Sequence, residues 1–326
     1  MRVQRTKRTH APGRVRDGRE ASTRQAAGLL PRGLQYMAAG AFFFSIMSLL
    51  VKLAGQRLPS QEIVLARSVV MAVLCWLLLR RSAIAPWGTR RGLLVLRGLL
   101  GFGALSCFYY GVVHLPLADA TVIQYTNALF TSGFAVFVLR ERLHRRELVC
   151  LLFTVVGVLV VARPSFLFGG APRLPALPLL VALAGACFSG AAYVTVRKLE
   201  GEHHLVVILY FSLIGTVGAL PAVARAGLLP TAAEWLLLLG VGLTTLAGQV
   251  CITKGLHLER AARASAAGLV QVVFAAALGA LFFGEWPDPF ALLGAALIVG
   301  SILASGVGGK ALAPVPGSPS IPAERH

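Results

Sequence analysis

Acidic residues are scarce in this chain: 13 Asp and Glu stand against 31 Lys and Arg in 326 residues, and none lies in the middle of a long apolar run. A proton relay through a buried carboxylate therefore has no candidate. Cysteine is equally sparse. Cys75, Cys107, Cys150, Cys187 and Cys251 all fall in apolar segments, with no C-x-x-C spacing and one left over from any pairing. They read as small hydrophobes rather than as disulfide partners or metal ligands. His144, His203 and His204 fall between apolar runs and His114 and His257 at their ends, without metal spacing. No glycine cluster follows a strand with phosphate-loop spacing, so nucleotide hydrolysis has no support. The run Cys187, Phe188, Ser189, Gly190 is a faint likeness to a G-x-S-G signature, but no intramembrane His is present to act as base. The expectation is thus no catalytic residue, no cofactor and no metal. An intramembrane enzyme and a non-transporting membrane receptor are kept as alternatives to transport.

Apolar residues, by contrast, make up 56% of the chain, only 13% is charged, and the mean hydropathy is +0.75. No single water-soluble core hides that much apolar surface, so the main solvent is lipid. Spans are expected near 34–54, 61–79, 93–113, 118–139, 147–163, 177–196, 205–224, 234–253, 263–283 and 289–308. Each is close to the ~20 residues that cross ~30 Å of hydrocarbon.

The formal charge of +18 would suggest nucleic acid if the basic residues formed one face. They fall instead between the spans. With both termini on the cytoplasmic side, the inner loops hold thirteen basic residues, among them Arg80, Arg81, Arg90, Arg91, Arg140, Arg142, Arg145 and Arg146. The outer loops hold four: Arg57, Arg163, Arg173 and Arg225. That asymmetry sets orientation in a cell inner (plasma) membrane and argues against a nucleic-acid partner. Residues 1–33, with nine Lys or Arg, read as a disordered basic cytoplasmic tail, and residues 309–326, rich in proline, as a second tail. The start could instead be a transit peptide, or sequence upstream of a true start at Met37.

The stretch from Ala118 to Glu141 recurs in weakened form from Ala262 to Glu285. Ala118 matches Ala262, Ala120 matches Ala264 and Phe130 matches Phe274; Thr121 answers to Ser265 and Asn127 to Gln271. Each copy lies in its own half, at 34–163 and 177–308, on either side of a Pro- and Gly-rich linker at 164–176. Five spans per half make the halves insert in opposite orientations. The expected fold is an all-α integral membrane protein, ten transmembrane helices as two inverted five-helix repeats, with the substrate site between them near mid-bilayer.

From Arg97 the chain reads R-G-L-L-G-F-G-A-L-S-C-F-Y-Y-G-V-V-H-L-P-L-A-D-A-T-V-I-Q-Y-T-N-A-L-F-T, then L-R-E-R-L and G-V-L-V-V-A-R-P; G-Q-V-C-I-T-K-G-L-H-L-E-R-A-A follows in the eighth span. This strongly resembles the EamA-like branch of the drug/metabolite transporter superfamily, over nearly everything from the first span to the tenth. The resemblance implies export or exchange of small metabolites or drugs by alternating access, and is nearly silent on the substrate. One departure stands out. Where family members usually carry proline in the fourth and ninth spans, this chain has Ala128 and Val272, so straighter helices are expected there.

Arg67 lies about five residues inside the second span, roughly 8 Å deep by helix rise. A charge at that depth is a functional candidate and suits an anionic or zwitterionic solute, although it could pair with Glu62 or helix carbonyls. Glu62 and Arg67 stand about 140° apart on one helix, a poor geometry for a direct pair. Gln124 and Asn127 in the fourth span and Gln271 in the ninth are amides that need partners. Ser48, Tyr110, Ser189, Tyr193 and Gln249 extend the expected pathway lining, each with helix-to-helix contact as its alternative. Glu141 and Glu285 are expected to pair with Arg or to cap helices. The expected partners are a small-molecule substrate and the bilayer, with homodimerisation left open.

Overall fold

The computed structural model describes residues 30–115, 117–141, 144–162, 175–283 and 288–306. Pro116, Arg142, Pro164, Glu285, Pro287, nearly all of the 164–176 linker, most of the amino-terminal tail and the carboxy-terminal tail lie outside them. The described residues form twelve helices and no strand: α1 Arg32–Ala54, α2 Ser60–Arg81, α3 Arg91–His114, α4 Leu117–Tyr125, α5 Asn127–Val138, α6 Arg145–Ala162, α7 Ala176–Lys198, α8 His204–Ala226, α9 Ala232–Leu258, α10 Ala261–Gly268, α11 Gln271–Phe283 and α12 Pro289–Gly306. Seven helical stretches are long and apolar enough to cross a membrane, Ala261–Phe282 counting as one, and Val122–Val138 and Pro289–Ser305 are shorter apolar stretches.

Helix starts follow local chemistry. Pro31, Pro59 and Pro175 precede α1, α2 and α7, where a fixed φ leads into the first turn. Thr231 and Glu234 form a reciprocal capping box on α9. Large apolar side chains such as Phe137, Leu177, Val217, Leu236 and Leu281 stand outward and exposed, the surface that acyl chains cover.

The helices interlock through small residues. On α1 and α9, a Cβ on Gly40 would lie 2.8 Å from Ile252, and one on Gly255 2.7 Å from Met37. On α3 and α7, a Cβ on Gly185 would meet Cys107 at 2.8 Å. With no hydrophobic drive between helices in lipid, such backbone approach is what earns dispersion energy. The pairing pattern itself repeats. Helix α1 packs on α9 and α3 on α7; α8 packs on α2 and on α3, while α2 also packs on α9; α6 packs on α12. Advancing each span by five maps every one of these pairs onto another of them, or onto itself.

Candidate functional site

The two spans that carry the sequence repeat are interrupted, and at the same register. In the first copy Thr126 separates α4 from α5; its N–H bonds the Ile123 carbonyl at 3.1 Å, and its hydroxyl donates to the same oxygen at 2.6 Å. In the second copy Leu269 and Val270 separate α10 from α11, their N–H groups reaching Ala266 and Ala267 at 3.1 and 3.2 Å. Bonds to the third residue back are tight 3₁₀ turns, which disrupt the α ladder. The expectation of straighter helices at Ala128 and Val272 is therefore corrected. Proline is not needed because a threonine hydroxyl captures a carbonyl in one copy. In the other, Gly268 ends α10, and the Ser45 hydroxyl of α1 donates to the Gln271 carbonyl at 3.1 Å.

Asn127 and Gln271 each open the half-helix after the break. Asn127 is 9% exposed and Gln271 half-buried, and neither side-chain amide has a hydrogen-bond partner among the described residues. Gln124 donates to the Ser189 hydroxyl at 2.9 Å, leaving its own carbonyl oxygen buried without a partner among the described residues. Tyr193 and Gln249 are half-buried. Tyr110 stacks on His114, ring centroids 4.1 Å apart, and Ser48 is exposed and donates to the Phe44 carbonyl.

Arg67 is 6% exposed, and its Nε has no hydrogen-bond partner among the described residues. The intrahelical pair with Glu62 does not form. Glu62 instead accepts the Leu228 N–H across the bundle at 3.0 Å. A second buried arginine escaped the sequence reading. Arg97 of α3 is 5% exposed, lies over the Phe211 ring at 4.7 Å, and has Nε and Nη1 unbonded among the described residues. The depth argument that singled out Arg67 applies to it equally.

A cavity of about 530 Å³ touches both breaks, through Tyr125 and Thr126 on one side and Leu269 on the other. It extends past Val158 of α6 to Leu179 and Leu183 of α7 and is otherwise apolar. None of the nine sequence-selected residues lines it. Nothing in the sequence marked it, since its walls are ordinary apolar residues.

Charge gathers at one end of the bundle, where the loops around Arg90, Glu141, Lys198 and Glu259 meet. Arg197, 2% exposed, contacts Glu200 at 2.5 Å, the His257 carbonyl at 2.5 Å and Glu141 at 3.7 Å. Burial pushes the Glu141 carboxyl above its ordinary pKa, the opposing pull of Arg197 and the Ala261 N–H being smaller. Glu141 thus pairs with Arg197 across the two halves. Arg260 bonds Glu147 at 3.1 Å. Glu202 accepts the Thr89 and Arg90 N–H groups at 2.7 and 2.6 Å, and the Thr89 hydroxyl. Burial alone would raise the Glu202 carboxyl; these donors outweigh it and hold the group below the usual carboxylate range. The other end carries the Arg57–Glu234 fork, with contacts at 2.6 and 2.5 Å, and the Glu62–Leu228 bond. Among the described residues no His, Cys, Asp or Glu group is placed to hold a metal ion.

The sequence profile of the EamA-like transporter family matches the chain twice, at residues 31–163 and 176–307. The chain is 34% identical over 280 residues to the pseudopaline exporter CntI of Pseudomonas aeruginosa, covering 85% of this chain and 96% of that protein. It is 32% identical over 291 residues to solute carrier family 35 member G1 of Homo sapiens, covering 82% and 77%. A crystal structure 18% identical superposes with a TM-score of 0.72 over 84% of this chain and 96% of that one, a likeness of fold.

Proposed function

Because the chain belongs to the EamA-like transporter family, and is a multi-pass membrane transporter rather than an enzyme, we propose that it exports or exchanges a small anionic or zwitterionic metabolite by alternating access between two inverted five-helix repeats. Ten spans follow when the broken fourth and ninth are each counted once and α6 and α12 are added as the fifth and tenth. The repeats run over 34–163 and 177–308. The inside-positive bias supports cytoplasmic termini in a cell inner membrane. The 34% identity to an exporter supports outward flux.

The observation that carries this reading is the pair of breaks at equivalent register, Thr126 and Leu269–Val270. Interrupted helices facing each other across a repeat interface expose backbone and polar side chains where a solute can reach them, and lipid-facing helices do not tolerate this. The proposed pathway takes Arg67, Asn127 and Gln271 first, with Gln124, Ser189, Tyr193 and Gln249 beside them; Ser48 and Tyr110 belong to its approaches. Ion pairs close the arginine-rich end, and the cavity lies from the breaks toward the opposite end, which is the arrangement of an outward-facing state.

The test is flux. Purified protein in liposomes is loaded with a panel of amino acids, carboxylates, nucleosides and lipophilic cations, and efflux is followed for wild type and Arg67→Ala. Saturable efflux of an anion or zwitterion, lost in a mutant that still inserts and folds, is the expected result. Equal flux in both removes Arg67 from the pathway, and saturable binding without flux of any compound favours the receptor.

A further inference from the structure

Arginine inside a bilayer is retained where its charge has work to do, and it ordinarily finds a carboxylate or helix carbonyls. Arg97 finds neither. It is the seventh residue of α3, about 9 Å along the helix from Arg91. Its Nε and Nη1 are buried and unbonded among the described residues, and its guanidinium lies over Phe211 of α8 at 4.7 Å. Among the described residues no carboxylate pairs with it.

The surroundings are shaped around the guanidinium. A Cβ on Gly101 would fall 2.3 Å from Nη1 and 2.8 Å from the Phe211 ring, so Arg97 holds this rotamer only because residue 101 has no side chain. Phe211 covers one face of the guanidinium plane without using its N–H donors. A guanidinium stacked on a ring, with Nε and Nη1 unbonded among the described residues, matches a carboxylate.

We propose that Arg97 is a second anion-binding station of the transport pathway, taking a carboxylate of the solute in the half of the bundle nearest the arginine-rich end. The inference rests on the transporter reading and gives it a substrate class. The station stands on a different helix from Arg67, α3 rather than α2. The cavity at the break, lined by Tyr125 and apolar side chains, would admit the apolar part of such a solute.

The experiment compares full-length wild type, Arg97→Met, Arg97→Lys and Arg67→Gln in detergent. Melting temperature is measured alone and with citrate, glutamate or sulfate at matched ionic strength, and flux of the same anions is measured in liposomes. A ligand that binds the native state raises the melting point by mass action. A carboxylate should stabilise wild type, and the lost charge-assisted bonds should weaken its apparent affinity about 10- to 100-fold in Arg97→Met. Arg97→Lys, which keeps charge but not the fork, should fall between. Arg97→Met without ligand should melt above wild type, because it removes an uncompensated buried charge and keeps an apolar stem on Phe211. If ligand-free Arg97→Met melts lower and carboxylate affinity is unchanged, Arg97 is structural and the inference fails. If Arg67→Gln alone loses the anion response, the inference fails while the transporter reading stands. If none of these anions stabilises wild type, the station is likewise rejected, and liposome flux of cations would still uphold transport. Stabilisation by sulfate equal to that by the carboxylates, with no flux of either, means an adventitious ion only and also overturns it.

Discussion

Glu202 shows how much one side chain can fix when it sits where two halves meet. It is 7% exposed, stands just before α8, and accepts two backbone N–H groups and a hydroxyl from Thr89 and Arg90 at the start of α3. Arg90 is the N-cap of α3 and Thr89 precedes it, so a carboxylate there also meets the positive end of the helix dipole. The carboxyl is held below its ordinary pKa because the donors outweigh the effect of burial. A folded pKa below the unfolded one means a contribution that is complete above the unfolded value and is lost as pH falls through the folded one. Glu202→Gln should therefore lower stability at neutral pH by about 1.5–3 kcal/mol, the range for bonds to a charged group. The gap from wild type should close as pH falls below the normal carboxylate range. Melting curves of both proteins from pH 7 downward check this, and a gap that stays constant in acid would mean that Glu202 is not acting as a carboxylate.

At the scale of elements, the breaks at Thr126 and Leu269–Val270 explain what proline would have done and why it is dispensable. A residue in the first turn of a helix needs no intrahelical N–H partner, and Ala128 is the second residue of α5. Ala128→Pro should thus fold and melt close to wild type. Ala135→Pro, eight residues into α5 and fully buried, should cost about 3 kcal/mol or more by removing a helical bond. Comparable losses in both would mean that no new helix begins at Asn127. The same contrast bounds what the sequence could tell. Long apolar runs and loop charges locate helix limits to within a few residues, because a bilayer leaves few alternatives for a backbone with no water to bond. The repeat register was also legible, since Asn127 and Gln271 do occupy matching places. The breaks were not, because they depend on a threonine hydroxyl and on Ser45 reaching across from α1. Arg97 was missed for a different reason: it lies near the start of an apolar run that opens with Arg90 and Arg91, so it reads as one more loop charge.

Across the whole molecule, the two ends carry equivalent clamps made from different bonds. Glu62 in the first turn of α2 holds the backbone ahead of α9, and Glu202 two residues before α8 holds the backbone ahead of α3. These are the same contact advanced by five spans. The arginine-rich end adds two ion pairs that join the halves, Arg197 with Glu141 at 3.7 Å and Arg260 with Glu147 at 3.1 Å. The opposite end has the Arg57–Glu234 fork. A molecule that alternates must break one set while keeping the other, so the balance between them sets which end is open. Neutralising the first set with Glu141→Gln and Glu147→Gln together should shift that balance by about 1–2 kcal/mol, or about 5- to 30-fold in population. Ser265, 2% exposed in α10, is the reporter. In a background without the five native cysteines, Ser265→Cys should react slowly with a polar maleimide, and several-fold faster once both carboxylates are amides. Adding Arg57→Gln to that variant should slow it again, since weakening the far clamp restores the original balance. An unchanged rate in the double-amide variant would show that the ion pairs decorate the end without holding it shut, and would leave the Glu202 clamp as the contact that closes it.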